Sequence, residues 1–116
     1  MVELSTNPFI IAVASSPNSG SKAISKLFGE KQATSSIKGS IGHTVAAAGA
    51  MEAVACILSL QNSFMPGTVG FEHQDAACIV DVVSHVRKVD STTYQYALSN
   101  SFGFGGQNCS LIFGTI

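Results

Sequence analysis

Two segments of this 116-residue chain carry side chains suited to acyl chemistry. The first, Ser36-Ile37-Lys38-Gly39-Ser40-Ile41-Gly42-His43, sets an imidazole where a long apolar helix is predicted to open. The second, Ser99-Asn100-Ser101-Phe102-Gly103-Phe104-Gly105-Gly106-Gln107-Asn108, is a glycine-rich stretch near the C-terminus. An imidazole in the first turn of a helix feels the positive end of the helix dipole, which favours the neutral ring. Such a ring donates one hydrogen bond without carrying charge. That suits a group that polarises a thioester carbonyl and steadies the enolate left when a carboxylate departs as carbon dioxide. The plainer role for His43 is to cap its helix or satisfy polar groups in the core.

Glu52 lies inside the apolar helix, where an unpaired carboxylate is costly to bury. At 100° per residue it falls on the face opposite His43, so the two do not form an acid/base pair on one substrate atom. Lys38 is the better candidate to balance it. Gly103, Gly105 and Gly106 around Phe104 leave a loop free to turn backbone amides toward a ligand, as an oxyanion site requires. Phe102 and Phe104 are placed to line or gate an acyl pocket. A tight turn between two strands, with its aromatics in the core, is the structural alternative. The loop is neither GxGxxG nor a P-loop. Cys56 and Cys109 fall on an enclosed helix and a strand, which predicts packing, and none of the three cysteines is expected to act as a nucleophile. His73 and His85 sit in polar loops without metal-ligand spacing. Neither key segment contains a nucleophile.

The elements that must position these groups follow from pattern. Phe9 to Ala14 is an apolar run of strand length, and Ser15 to Gly20 a turn cluster. Ser21 to Phe28 has helical spacing and stops at Gly29. Ala33 to Ile37 predicts a short strand feeding a turn at Lys38 and Gly39. From His43 or Thr44 to about Gln61 the chain shows no wide polar face, so that helix is expected to be enclosed on all sides. Pro66-Gly67-Thr68 is expected to end it. Gly70 to Ala77 reads as irregular, Ile79 to Val83 as a weak strand, and Tyr94 to Ser99 and Cys109 to Phe113 as strands flanking the glycine loop.

Composition narrows the classes. Six Lys and Arg scattered along the chain argue against nucleic acid. Charged residues are 11% of the chain, a thin polar covering that predicts a buried interface. Three cysteines without zinc or CxxC spacing indicate a reducing compartment, the cytoplasm or an organelle matrix, and no metal. No leader is expected at the N-terminus, and Val45 to Leu60 falls short of the roughly 20 residues of a membrane span.

From about Ser35 to Phe113 the chain resembles the C-terminal part of a β-ketoacyl-acyl-carrier-protein synthase, a condensing enzyme of the thiolase-like superfamily. The resemblance rests on Lys38 to His43, Ala47-Ala48-Gly49-Ala50-Met51-Glu52-Ala53, Pro66-Gly67-Thr68, and Ser99 to Asn108. It implies an α/β fold, a partial αβαβα sandwich with a buried central helix at about 43–61. It divides the chain into a divergent segment, 1–32, and a synthase C-terminal-like domain, 33–116. It further implies decarboxylative condensation of an acyl thioester with malonyl carrier protein, without a cofactor. His43 matches the second histidine of a Cys-His-His triad, Lys38 the lysine near it, and Glu52 an acidic residue of the same network. Phe104 matches the gating phenylalanine whose amide joins the oxyanion hole, with Phe102, Gly103, Gly105 and Gly106 in its loop.

Ile37, Ala46 and Gln107 depart tolerably from the family's usual threonine, glycine, and threonine or histidine. The severe departure is in Phe9 to Ala14, which occupies the region of the family's other active-site histidine and contains none. The cysteine nucleophile belongs to a half of the fold outside this sequence. The expectation is a truncated homologue that does not turn over alone, a marginal monomer that forms a homo-oligomer or pairs with a missing half and with acyl carrier protein. The alternative is a non-catalytic remnant or interaction subunit binding a full-length ketosynthase or acyl carrier. A thiolase is disfavoured because Phe102 to Gly106 replaces the late Cys-x-Gly of that family.

Overall fold

The computed structural model describes residues 9–13, 17–103 and 105–115. Five strands form one sheet in the order β4-β2-β1-β6-β7. They are β1 (Phe9–Val13), β2 (Ala33–Ser35), β4 (Asp81–Val82), β6 (Tyr96–Phe102) and β7 (Asn108–Gly114). Strand β1 runs parallel to β2, with Ile10 beside Thr34, and parallel to β6, with Ile10 beside Leu98. Strand β7 returns antiparallel along β6 with Ser101 opposite Cys109. The segment 1–32 thus supplies the sheet's middle strand, and residue 32 marks no break in packing. A two-stranded ribbon, β3 (Phe64–Met65) with β5 (Arg87–Lys88), lies beside the sheet.

Alternation along the strands sends side chains to two different helices. On one face Ile10, Leu98 and Val80 pack with Ile24 of α1 (Pro17–Phe28). On the other Ala33, Ala97, Val83 and Met65 pack with Cys56 of α3 (Ala48–Asn62). The order helix, sheet, helix supplies three of the five layers of an αβαβα sandwich. Helix α1 starts at Pro17, four residues before the expected Ser21. Proline is well tolerated in a first helical turn because its missing N–H would be unpaired there anyway, so a segment that reads as a turn is the helix's opening.

Helix α3 departs from expectation in what it buries. A 3-10 turn, Val45–Ala47, precedes it, so the α-helix proper begins five residues after His43. Its buried residues are Glu52, Cys56 and Ser59, whereas Met51, Val54, Ile57 and Leu58 are between 41% and 53% exposed. The helix is therefore covered on one side by this chain, not on all sides. Its polar side faces the sheet and its apolar side faces outward. The composition is that of an enclosed helix, but the layer able to cover the second side is not among the described residues. By length and composition Val45–Asn62 is also sufficient to cross a membrane, contrary to the reading of the shorter run. A buried, ion-paired Glu52 at mid-helix seated on a sheet is the arrangement of an interior layer instead.

The helix ends at Ser63, whose N–H still donates to the Ser59 carbonyl and whose left-handed backbone, φ 53°, turns the following chain out of the helix. Pro66-Gly67-Thr68 therefore follows a completed C-terminus and has another task. Thr68 donates its N–H to the Val83 carbonyl at 2.8 Å, and its Oγ1 accepts from the Ser36 N–H at 3.1 Å. This clasp fixes the entry to the Lys38–His43 segment.

Candidate active site

Lys38 to Ile41 forms a single helical turn, α2, where a plain turn was expected. The Gly42 N–H closes it onto the Lys38 carbonyl at 2.8 Å. Gly42 has φ +73°, a conformation L side chains rarely adopt, and this redirects the chain so that His43 leaves the turn toward the cleft. The turn rests on the loop after Thr68. A Cβ built on Gly39 would lie 2.1 Å from the Val69 carbonyl oxygen, backbone against backbone, with no flexible side chain to yield. Gly39→Ala is expected to lower stability by about 1–3 kcal/mol, as overpacking does. A lower urea midpoint at unchanged slope would show it, and an unchanged midpoint would contradict this packing.

His43 is exposed, and its Nδ1 accepts the Val45 N–H at 3.1 Å. That bond sets the tautomer: a neutral ring carries its proton on Nε2, which is left to donate outward. Val45 sits at φ +51°, an uncommon region for a β-branched residue that costs of order 1–3 kcal/mol. Local strain is thus concentrated at the residue that orients the imidazole.

An open cleft of ≈ 920 Å³ brings Lys38 and His43 together with Phe102 and Gly103 at the end of β6. Of the other expected site residues, Glu52 lies behind Lys38 and not in the cleft wall, and Gly105 and Gly106 do not line it. Phe104 lies outside the described residues. The glycine loop is less free than its composition suggests. The Gly103 N–H donates to the Gln107 carbonyl at 2.7 Å and the Gly106 N–H to the Gly103 carbonyl at 3.1 Å, so both amides are occupied within the loop.

Glu52 is 1% exposed and is balanced by Lys38, with Nζ 3.6 Å from Oε1. Ser101 Oγ and Ser99 Oγ donate to its Oε2 at 3.2 and 3.4 Å. Desolvation outweighs these partners and raises the Glu52 carboxyl above its ordinary value of 4.5. Between 4.5 and that raised midpoint the folded chain binds more protons than the unfolded chain, so stability falls as pH rises across the window. Glu52→Gln is expected to flatten this dependence in thermal melts. An equally steep slope in the variant would assign it to another group. Burial, with the Glu52 charge nearby, pushes the Cys56 thiol up to about 12, so it is an unreactive packing group.

Among the residues lining the cleft, Ser99, Ser101 and Cys109 carry polar groups to which the sequence reading gave no role. The pattern ends the strand at Ser99 and leaves Ser101 in the glycine-rich segment, whereas β6 runs on to Phe102 and puts the two serines on one face. Cys109, expected to pack, is exposed and lines the cleft, because β7 is an edge strand with little cover. His73 and His85 lie on the exposed surface away from the cleft.

Residues 19–72 match the β-ketoacyl synthase, C-terminal domain family. The chain is 44% identical over 97 residues to 3-oxoacyl-[acyl-carrier-protein] synthase 2 of Vibrio cholerae, covering 79% of this chain and 23% of that protein. It is 48% identical over 83 residues to a putative mitochondrial 3-oxoacyl-[acyl-carrier-protein] synthase of Schizosaccharomyces pombe, covering 68% of this chain and 18% of that protein. A solved complex of a type II polyketide synthase acyl-carrier protein with its ketosynthase superposes with TM-score 0.83 at 27% identity, over 97% of this chain and 28% of the solved one. The chain therefore has the thiolase-like fold of the condensing enzymes. It corresponds to the C-terminal part of a β-ketoacyl-acyl-carrier-protein synthase, and spans about a fifth of the length of the curated relatives it matches. The family match begins at residue 19, inside the stretch read as divergent.

Proposed function

We propose that the chain supplies the decarboxylation side of a β-ketoacyl synthase site, completed by a half that carries the nucleophilic cysteine. The observation that carries this is the cleft in which His43, with Nε2 left to donate, stands beside Lys38 and the Phe102–Gly103 end of β6. In the completed enzyme the partner's cysteine takes the acyl group from its thioester. Malonyl carrier protein then loses carbon dioxide, and the electrons of the broken C–C bond move onto the thioester carbonyl as an enolate. The His43 Nε2–H donates to the oxygen where that charge gathers. The enolate carbon attacks the acyl thioester and releases the cysteine. Lys38, held by Glu52, stands at the cleft wall, while Phe104, with Gly105 in its loop, gates acyl access, as the resemblance implies.

The uncovered apolar side of α3 supports association with such a half, or with a second copy, and the names of the relatives support acyl carrier protein as substrate carrier. A reducing cytoplasm or organelle matrix fits the free cysteines. The same α3 face, with no histidine in Phe9 to Ala14, favours a second reading: an interaction subunit that binds a full-length synthase or acyl carrier without chemistry. Light scattering of the chain mixed with a cysteine-bearing ketosynthase half tests the association. A complex of the summed mass is expected, and a stable monomer that ignores both that half and acyl carrier protein contradicts either reading.

A further inference from the structure

Strand β6 does more than deliver the glycine loop. Ser99 and Ser101 are two residues apart, so both side chains leave the strand on the α3 face, and both hydroxyls donate to the same oxygen of Glu52. The other oxygen faces Lys38, whose side chain is 24% exposed and lines the cleft. The carboxylate is thus divided between a hydroxyl pair on Oε2 and an ammonium near Oε1, and all three of these residues line the cleft. Ser101 is also the second residue before Gly103, where the loop begins.

We infer that Ser101, assisted by Ser99, is a positioning residue: its hydroxyl fixes the Glu52 carboxylate so that Lys38 is held at the cleft wall, tying the base of the glycine loop to the site's only described ion pair. This rests on the reading of Lys38 and His43 as site residues. The groups that face Glu52 from the packed elements are Lys38 of α2, Ser99 and Ser101 of β6, and the Cys56 thiol of its own helix. Among these Lys38 serves Oε1, and the two hydroxyls are the donors to Oε2 that turn the carboxylate. Without them Oε2 is buried with no partner, and the carboxyl is better accommodated protonated, which releases Lys38.

The test uses the whole chain with Ser101→Ala, Ser99→Ala and Ser101→Thr. The Glu52 carboxyl is titrated by carbon NMR, and the rate at which an amine-selective acylating reagent labels Lys38 is measured by mass spectrometry. Ser101→Ala is expected to shift the Glu52 midpoint upward and to raise Lys38 labelling several-fold. Ser99→Ala, with the longer bond, is expected to do the same to a smaller degree, and Ser101→Thr to restore the parent values. Unchanged Glu52 midpoints in both alanine variants would overturn the inference, and either variant suffices if the other does not fold. Condensation assays with a cysteine-bearing half separate the two claims. Shifted midpoints without any reconstituted condensation retain the clamp and remove the proposed function. Reconstituted condensation with unshifted midpoints does the reverse.

Discussion

His43→Ala in the completed enzyme is expected to lower the rate of malonyl decarboxylation by about 10²- to 10³-fold, the usual loss on removing one preorganised donor to a developing oxyanion. The expectation follows from geometry. Nδ1 is occupied by the Val45 N–H, so a neutral ring has one proton, on Nε2, to offer the substrate. Because the enolate gathers more charge than the ground-state carbonyl, the loss should fall on kcat more than on KM for malonyl carrier protein. Acylation of the partner's cysteine should be less affected, since it does not generate that enolate. Equal losses in both steps would place His43 in general folding of the site. The neighbouring Val45 backbone, strained and pinned to the ring, should relax in the variant, so its stability should not fall.

Lys38→Met is expected to lower stability by about 3 kcal/mol at neutral pH, the low end for removing one partner of a buried pair. That is a large part of the roughly 5–15 kcal/mol typical of a domain. Glu52, 1% exposed, would keep two serine hydroxyls but no cation. Lys38 lowers the Glu52 midpoint, so the variant's carboxyl should rise further and stay protonated over a wider range. The destabilisation should therefore shrink as pH falls toward 4.5, and adding Glu52→Gln should recover most of it. A pH-independent loss would mean that Lys38 acts through packing.

The sequence made the existence of the elements legible better than their surroundings. The apolar run after His43 predicts a helix, and a helix is there, but the outward face of Met51, Val54, Ile57 and Leu58 could not be read from periodicity. What seats Glu52 and Cys56 inward is a set of partners distant in the chain: Lys38, Ser99 and Ser101 for the carboxylate, and Ala33, Val83 and Ala97 for the thiol. Local patterns carry no record of such pairings. Lys38, His43, Phe102 and Gly103, singled out by motif, all line one cleft. The glycine loop was over-read, since composition shows that amides are unhindered but not that Gly103 and Gly106 use theirs within the loop. Pro17 was misread because a residue that breaks helices when internal also starts them.

The central claim is that this chain holds half of a condensing site. The most direct measurement is formation of β-ketoacyl carrier protein from acyl and malonyl carrier protein, with the chain alone, with a cysteine-bearing ketosynthase half alone, and with both. Product should form when both are present and disappear with His43→Ala. Product from the chain alone, or a mixture indifferent to His43, would contradict the account.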